Sequence, residues 1–293
     1  MMQELLRWYK KFGRKLPWRD TTDAYPLLVS EMMLQQTQVE RVKDHFFSAW
    51  LKRFPDWTAL AKADNATVIT AWSGLGYNRR ALALRDIARH IAAHGEPRNR
   101  EAWLELKGIG PYTSAALAIF ANREPVMPID TNIRRVLGRY YYGVTYPQPK
   151  NDAKLERRAG RELLETKRYH DVPQALFDLA STHCSKIPDC ASCPLRNSCK
   201  ASPKFESGRY RVPIQMVKRA QEKKYRNKKY PDRIYRGRIL KLARIEPGIT
   251  IDSVGLRIDD SYEDVDDRTW LEAMINRLVH DQLLKRKGKK LSL

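Results

Sequence analysis

The sequence predicts a mainly α-helical fold closed by a small α+β unit at its carboxyl end. Three observations carry this. Apolar residues recur at helical spacing from the amino terminus to about residue 183, strand-like alternation is scarce, and residues 284–293 read as a basic hairpin turning at Gly288. At 293 residues and 42% apolar content the chain can bury a large core, and two or three domains are expected. There is no internal repeat.

The formal charge of +21 points to a polyanionic partner, with nucleic acid the first candidate. An anionic membrane surface is the competitor, but no run approaches the ~18 apolar residues of a spanning helix. The amino end, Met-Met-Gln-Glu-Leu-Leu-Arg-Trp-Tyr, lacks a signal-peptide core and reads as an amphipathic helix, so a cytoplasmic protein is expected, nucleoid-associated in a prokaryote; a monomer is expected as well.

Residues 1–12 form the first helix, and Leu16-Pro17-Trp18-Arg19 breaks it. A second helix opens at Tyr25-Pro26 and is expected to run to about Trp50. Leu27, Glu31, Leu34 and Gln38 share its face, so Glu31 projects from among apolar neighbours, where desolvation raises a carboxyl pKa and keeps a proton available. A bland reading also fits: an acid favoured by the helix dipole. Short helices follow at 57–63, 65–72 and 79–94, with Gly74-Leu75-Gly76-Tyr77 as the turn before the last. Tyr77 there is either a packing residue or an aromatic wedge. His90 and His94 lie four apart with no third ligand near, which reads as a solvated face.

The chain is organised around residues 106–132. Gly108 and Gly110 allow a tight turn and close approach of another backbone, and Pro111 suits the first turn of the next helix. The hairpin leaves backbone N–H groups pointing outward, a setting for a phosphate. Residues 112–121 are almost wholly apolar, so their helix is buried, and Asp130 follows as a carboxylate held next to the core.

Cys184, Cys190, Cys193 and Cys199 fall within sixteen residues, spaced x5, x2 and x5. In a reducing compartment this is a metal site, and the spacing leaves zinc and a cubane iron–sulfur cluster both open. Residues 201–232 turn polar and basic: Lys218, Arg219, Lys223, Lys224, Arg226, Lys228 and Lys229 read as a linker able to lie along DNA phosphates. A helix over 234–245, an extended piece over 249–256, an amphipathic helix around Leu271–Val279 and the basic hairpin together have the plan of a winged helix. The alternative is a helical cap on the main body.

These motifs resemble the helix-hairpin-helix DNA glycosylases, and among them the MutY-type adenine DNA glycosylases. The likeness covers about residues 3–200, in the family's order. Leu16-Pro17-Trp18-Arg19 resembles the motif lining the adenine pocket. Ser30-Glu31-Met32-Met33-Leu34-Gln35-Gln36-Thr37 resembles the family's most specific signature, in which the Glu protonates adenine and the second Gln, here Gln36, enters the duplex. Gly74–Tyr77 resembles the turn whose Tyr wedges between bases, 106–113 the hairpin, Asp130-Thr131-Asn132 the catalytic segment, and the cysteines the 4Fe-4S loop. The resemblance implies a six-helix barrel domain (21–128) carrying the helix-hairpin-helix, an iron–sulfur helical domain (1–20 with 129–200), the linker (201–232) and the winged-helix-like unit (233–293).

The sequence departs from the pattern in three places. The first cysteine gap is five residues where six is usual, Asn78 stands where a second Tyr is common, and no Nudix-like carboxyl-terminal domain is recognisable. The resemblance implies a monofunctional glycosylase acting on duplex DNA with adenine opposite 8-oxoguanine or guanine. Glu31 is then the acid, Asp130 the carboxylate that stabilises the sugar cation, and Tyr112 and Asn132 position them. Gln36, Tyr77, Gly108, Gly110, Trp18 and Arg19 meet DNA. The relative endonuclease III carries a lyase lysine where this chain has Tyr112, so weak or no lyase activity is expected. Two other readings are a thymine or uracil mismatch glycosylase and a non-catalytic iron–sulfur DNA-binding protein. Residues 233–293 are expected to add general phosphate affinity.

Overall fold

The computed structural model describes residues 1–213 and 222–293; Lys218 and Arg219 of the basic stretch lie outside them. Helices dominate, and no described helix is long and apolar enough to cross a membrane. The chain forms two compact units, Met1–Glu31 with Glu96–Arg219, and Met32–Gly95 with Ala220–Leu293.

In the first unit, Met2–Phe12 packs on Asp171–Thr182, and its Met2, Leu5 and Leu6 share one core with Ile133, Val136 and Leu137 of Thr131–Tyr142. Asp152–Leu164 adds Leu155, Ala159 and Leu163, and Asp171–Thr182 adds Val172, Ala175, Leu176 and Leu179. Spacing of three and four puts each set on one helical face. The hairpin joins Arg100–Leu104 to Pro111–Phe120, whose residues from Thr113 to Ile119 are buried. Gly108 turns the chain at φ +101°, a conformation only glycine adopts freely. Gly110 does not need that freedom: its φ is −100°, and a Cβ there would meet nothing within 4 Å. Its bare side is open space instead.

In the second unit, Asp56 and Asp64 cap the helices Trp57–Lys62 and Asn65–Ala71 by accepting from Ala59 and Thr67 N–H, each at 2.7 Å. Trp50, of Phe47–Arg53, packs edge-on against Trp72 at 5.2 Å. The second helix does not reach Trp50. It spans Ala24–Leu34, and Gln36 then takes φ +58°, which no helix can continue through. Gln38 therefore leaves the face of Leu27 and Glu31. A single turn (Val39–Arg41) and a π-helical segment (Val42–Phe46) lead into Phe47–Arg53.

The carboxyl-terminal part runs Asp232–Ile245, β1 (Ile249–Thr250), Ile251–Ile258, Asp264–His280, β2 (Lys285–Lys287) and β3 (Lys290–Ser292). The antiparallel sheet has the order β1-β3-β2, with Ile249 opposite Leu291 and Arg286 opposite Leu291 on the other side. This is a winged-helix arrangement with its wing turning at Gly288, φ +60°. The extended piece expected over 249–256 is two residues long. Ile251, Val254, Gly255 and Ile258 are buried at helical spacing, and Gly255 lies flat on Tyr262, whose ring a Cβ would strike at 2.3 Å.

The stretch before residue 233 is also not all linker. Ser202–Glu206 is helical, Tyr225 stacks on Trp270 at 5.4 Å, and Lys228 is buried with Nζ 2.7 Å from Asp259 and within reach of Asp267. Lys228 is thus an internal counter-ion, not a phosphate ligand.

Candidate active site

Glu31 lies near the end of Ala24–Leu34, and Tyr112 in the first turn of the hairpin's second helix. The Tyr112 hydroxyl hydrogen-bonds the Glu31 carboxyl. That bond and the burial oppose each other, and burial wins: the Glu31 carboxyl is pushed up to about 7, with the negative charge of Asp130 adding to the rise. The Tyr112 hydroxyl is driven well above its ordinary value by the same burial and both carboxylates, so it stays a donor.

Asp130 is the N-cap of Thr131–Tyr142. Its Oδ1 accepts from Ile133 N–H at 2.7 Å and its Oδ2 from Asn132 Nδ2 at 2.8 Å. Burial raises its pKa, while these donors, and the positive charge of Arg135, pull it back. The site therefore holds two buried carboxyls, both raised on balance: one with a single donor, the other at a helix N-terminus where several donors offset part of its burial.

Sequence reasoning missed Arg135. Its Nη2 donates to Asn132 Oδ1 at 3.1 Å and its Nε to the Cys184 carbonyl at 2.7 Å. Asp130 is thereby joined through Asn132 and Arg135 to the cysteine loop. The four cysteines are unbonded to one another and line one small cavity with Arg139. Arg139 is 1% exposed, a buried cation whose Nη1 lies 3.3 Å from Cys184 Sγ and 2.6 Å from the Ser185 carbonyl. Burial pushes the Cys193 thiol up to about 12. Among the described residues no three Cys, His, Asp or Glu side chains converge to the spacing of a single metal ion.

Trp18 is buried, and Arg19 does not face solvent. Its guanidinium grips Asp178 with two bonds of 2.8 Å, and Arg14 Nε adds a third at 2.6 Å. In the second unit Gln36 and Tyr77 are both exposed and both in left-handed backbone, at φ +58° and +49°. Arg80, also unforeseen, organises both. It donates to the carbonyls of Met32 and Gln35 at 2.6 Å and of Gly76 at 3.0 Å, and its guanidinium lies 5.5 Å from the Tyr77 ring. His90 and His94 stack at 4.4 Å on the exposed face of Arg79–His94.

Residues 29–161 match the family model of the HhH-GPD superfamily base excision DNA repair proteins. An adenine DNA glycosylase of Mycolicibacterium smegmatis is 40% identical over 210 residues, covering 70% of this chain and 71% of that one. The chain belongs to this superfamily, in its MutY-type branch.

Two further relatives of this MutY-type chain carry the same name. The Mycobacterium tuberculosis protein is 38% identical over 65% of this chain and 64% of its own length. For the Arabidopsis thaliana protein the values are 32%, 70% and 37%. This chain thus spans from about a third to just over two-thirds of these relatives. Among solved structures, a thermostable thymine-DNA glycosylase superposes with TM-score 0.64 at 26% identity, over 69% of this chain and 95% of that one. An endonuclease III–DNA covalent intermediate superposes with TM-score 0.56 at 18% identity, over 70% and 95%, and speaks for the fold alone.

Proposed function

We propose that this chain is a monofunctional adenine DNA glycosylase of base excision repair, hydrolysing the N-glycosidic bond of adenine opposite 8-oxoguanine or guanine in duplex DNA. The observation that carries it is the Glu31–Tyr112–Asp130 cluster: a carboxyl poised near pH 7 beside a second carboxyl held by helix N–H groups. Cleaving this bond requires protonating the leaving base and offsetting the charge on the sugar left behind, the division of labour of paired carboxyls in glycoside hydrolysis. Glu31 donates its proton to the adenine ring and then, as carboxylate, accepts one from the attacking water. Asp130 stays ionised against the oxocarbenium-like sugar, with Asn132 holding its Oδ2. Tyr112, lacking an amine, offers no Schiff base, which is why the enzyme is read as monofunctional.

The adenine must leave the stack first, at a cost of a few kcal/mol. Gln36 and Tyr77 fill the space it vacates. The outward N–H groups of the 106–113 hairpin and the open side of Gly110 receive a backbone phosphate. Arg19, tied to Asp178, acts by fixing the 16–19 segment and Trp18 beside it.

The cysteine loop suits a 4Fe-4S cluster: four free thiols around one cavity, with a buried guanidinium at one sulfur. Cys184, Cys190, Cys193 and Cys199 would hold it. When bound, the cluster supplies four metal–thiolate bonds that fix the loop. The functional domains proposed remain 21–128, 1–20 with 129–200, and 233–293, the last acting on DNA through its wing.

A duplex assay with alkali cleavage tests the reading: adenine opposite 8-oxoguanine or guanine should be excised, and adenine opposite thymine should not. The thymine-DNA glycosylase likeness motivates one more substrate, thymine opposite guanine. Excision of thymine with no loss of adenine would replace the adenine assignment.

A further inference from the structure

The turn that carries Tyr77 is held at both ends by the carboxyl-terminal part of its own unit. Before the turn, Arg244, in the last turn of Asp232–Ile245, donates from Nη1 to Ser73 Oγ. After it, Arg79 Nη1 lies 3.8 Å from Asp281 Oδ1, a carboxylate only 6% exposed that also faces Arg277 at 3.3 Å and His280 at 3.5 Å. A third bond anchors the pair. Asn65 donates from Nδ2 to the Gln282 carbonyl at 2.8 Å, and buried Arg85 bonds Asn65 Oδ1, so the amide has only one orientation.

Between these supports the backbone is strained. Gly74, Gly76 and Tyr77 have φ of +103°, +73° and +49°. A Tyr in that region persists only where its surroundings over-determine it. Inside the turn, Arg80 and Trp72 Nε1 bond the Gly76 carbonyl at 3.0 and 3.1 Å, and Arg41 bonds that of Gly74 at 2.8 Å. The Tyr77 ring itself remains 57% exposed. Bonds made merely to dock one part on another have no reason to bracket this turn; bonds that keep a protruding ring from yielding do.

We propose that the winged-helix part is a brace for the wedge: Arg244 and Asp281 are positioning residues that hold Tyr77 rigid while the duplex is opened. This rests on the reading of Tyr77 as the wedge. It also gives the carboxyl-terminal unit a share in base extrusion without touching any base itself.

A double-mutant cycle tests it, read by stopped-flow fluorescence of 2-aminopurine beside the target adenine, with affinity measured separately. Tyr77→Ala should slow extrusion at least about tenfold. Arg244→Ala should slow it by roughly three- to tenfold, what one hydrogen bond is worth net, and Asp281→Asn by roughly two- to fivefold, since its ion pair to the exposed Arg79 is, at 3.8 Å, too long for a hydrogen bond. In the Tyr77→Ala background the same changes should cost less than about twofold, because the ring they steady is gone. Ser73→Ala removes the Arg244 bond from the other side and should match Arg244→Ala, while Arg244→Lys restores part of the rate. Equal losses in both backgrounds would overturn the brace while leaving the wedge standing. Normal extrusion by Tyr77→Ala would overturn the wedge reading and the brace with it.

Discussion

Tyr112 donates its hydroxyl to the Glu31 carboxyl, yet that carboxyl still lies up near 7, because desolvation outweighs one neutral donor. The consequence is a pH dependence with a definite sign. Protonated Glu31 is the active form for base protonation, so excision should fall as pH rises through about 7. Stability follows the same direction. A carboxyl raised from 4.5 contributes most when protonated, and its contribution is lost as pH climbs from there through about 7. At about 1.4 kcal/mol per pKa unit, ionised Glu31 costs the fold as much as about 3 kcal/mol. Glu31→Gln should therefore abolish excision and raise Tm relative to wild type at pH 8, with little difference at pH 4. Equal Tm gaps at both pH values would show that Glu31 is not desolvated.

Asp130 has two tasks, charge and cap, and one substitution separates them. Asn caps helices about as well as Asp, so Asp130→Asn should keep the Thr131–Tyr142 N-terminus and move stability by less than about 1 kcal/mol. Excision should nonetheless fall by two orders of magnitude or more, since the cation then faces a neutral amide. Thermal melts beside single-turnover rates decide this. Retained excision would remove Asp130 from the chemistry.

How legible was this in the sequence? The local pattern leaves Glu31 open between a helix-dipole acid and a desolvated one, and Asp130 open between a cap and a site carboxylate; it is the resemblance of their motifs to a known family that singles both out. The arginines that organise the site were not flagged. Arg80 and Arg135 sit in a chain with 55 Lys and Arg, where no pattern separates a cation aimed at carbonyls from one aimed at solvent. The same blindness misassigned Lys228, whose two carboxylate partners lie 31 and 39 residues further on. The helix break at Gln36 was missed because a Gln carries no turn signal. The carbonyls gathered by Arg80 stabilise its left-handed backbone.

Arg135 spans from Asn132 to the Cys184 carbonyl, and so ties the cysteine loop to the carboxylate that Asn132 holds. Arg135→Met keeps the aliphatic length and removes both bonds, along with a third from Nη2 to the Ala180 carbonyl at 3.2 Å. It should lower kcat about tenfold or more with little change in DNA affinity, and leave the visible absorbance of the loaded cysteine site intact. Loss of that absorbance would mean the arginine serves the loop itself.

Lys228 supplies a test inside the carboxyl-terminal part. Removing one member of a buried ion cluster leaves the others uncompensated, a loss of about 3–5 kcal/mol. Lys228→Met should strand Asp259 and Asp267 and unfold the winged-helix part at a temperature well below wild type, followed by Trp270 fluorescence. A DNA-binding lysine would instead leave the melt unchanged and weaken affinity.

In many winged helices the long second or third helix enters the groove, but here Asp264–His280 presents Asp264 and Asp266 in its first turn. Its cations are committed: Arg268 to Asp252 and Asp264, Arg277 to Asp281. In the wing, Arg286 is held by Glu272 and Lys289 by Asp252, while Lys285, Lys287 and Lys290 are exposed and have no ion pair among the described residues. The wing is therefore the cationic edge free to take phosphates. Changing Lys285, Lys287 and Lys290 to Ala should weaken binding on every duplex alike and flatten the salt dependence, by about 0.9 in log–log slope for each phosphate no longer neutralised. Changing Thr269, Ala273 and Asn276 on the exposed side of the helix should leave both unchanged. Affinities measured across a salt series on matched and mismatched duplexes make the comparison. A slope unmoved by the wing triple, with affinity falling through the helix substitutions, would put the helix and not the wing on DNA.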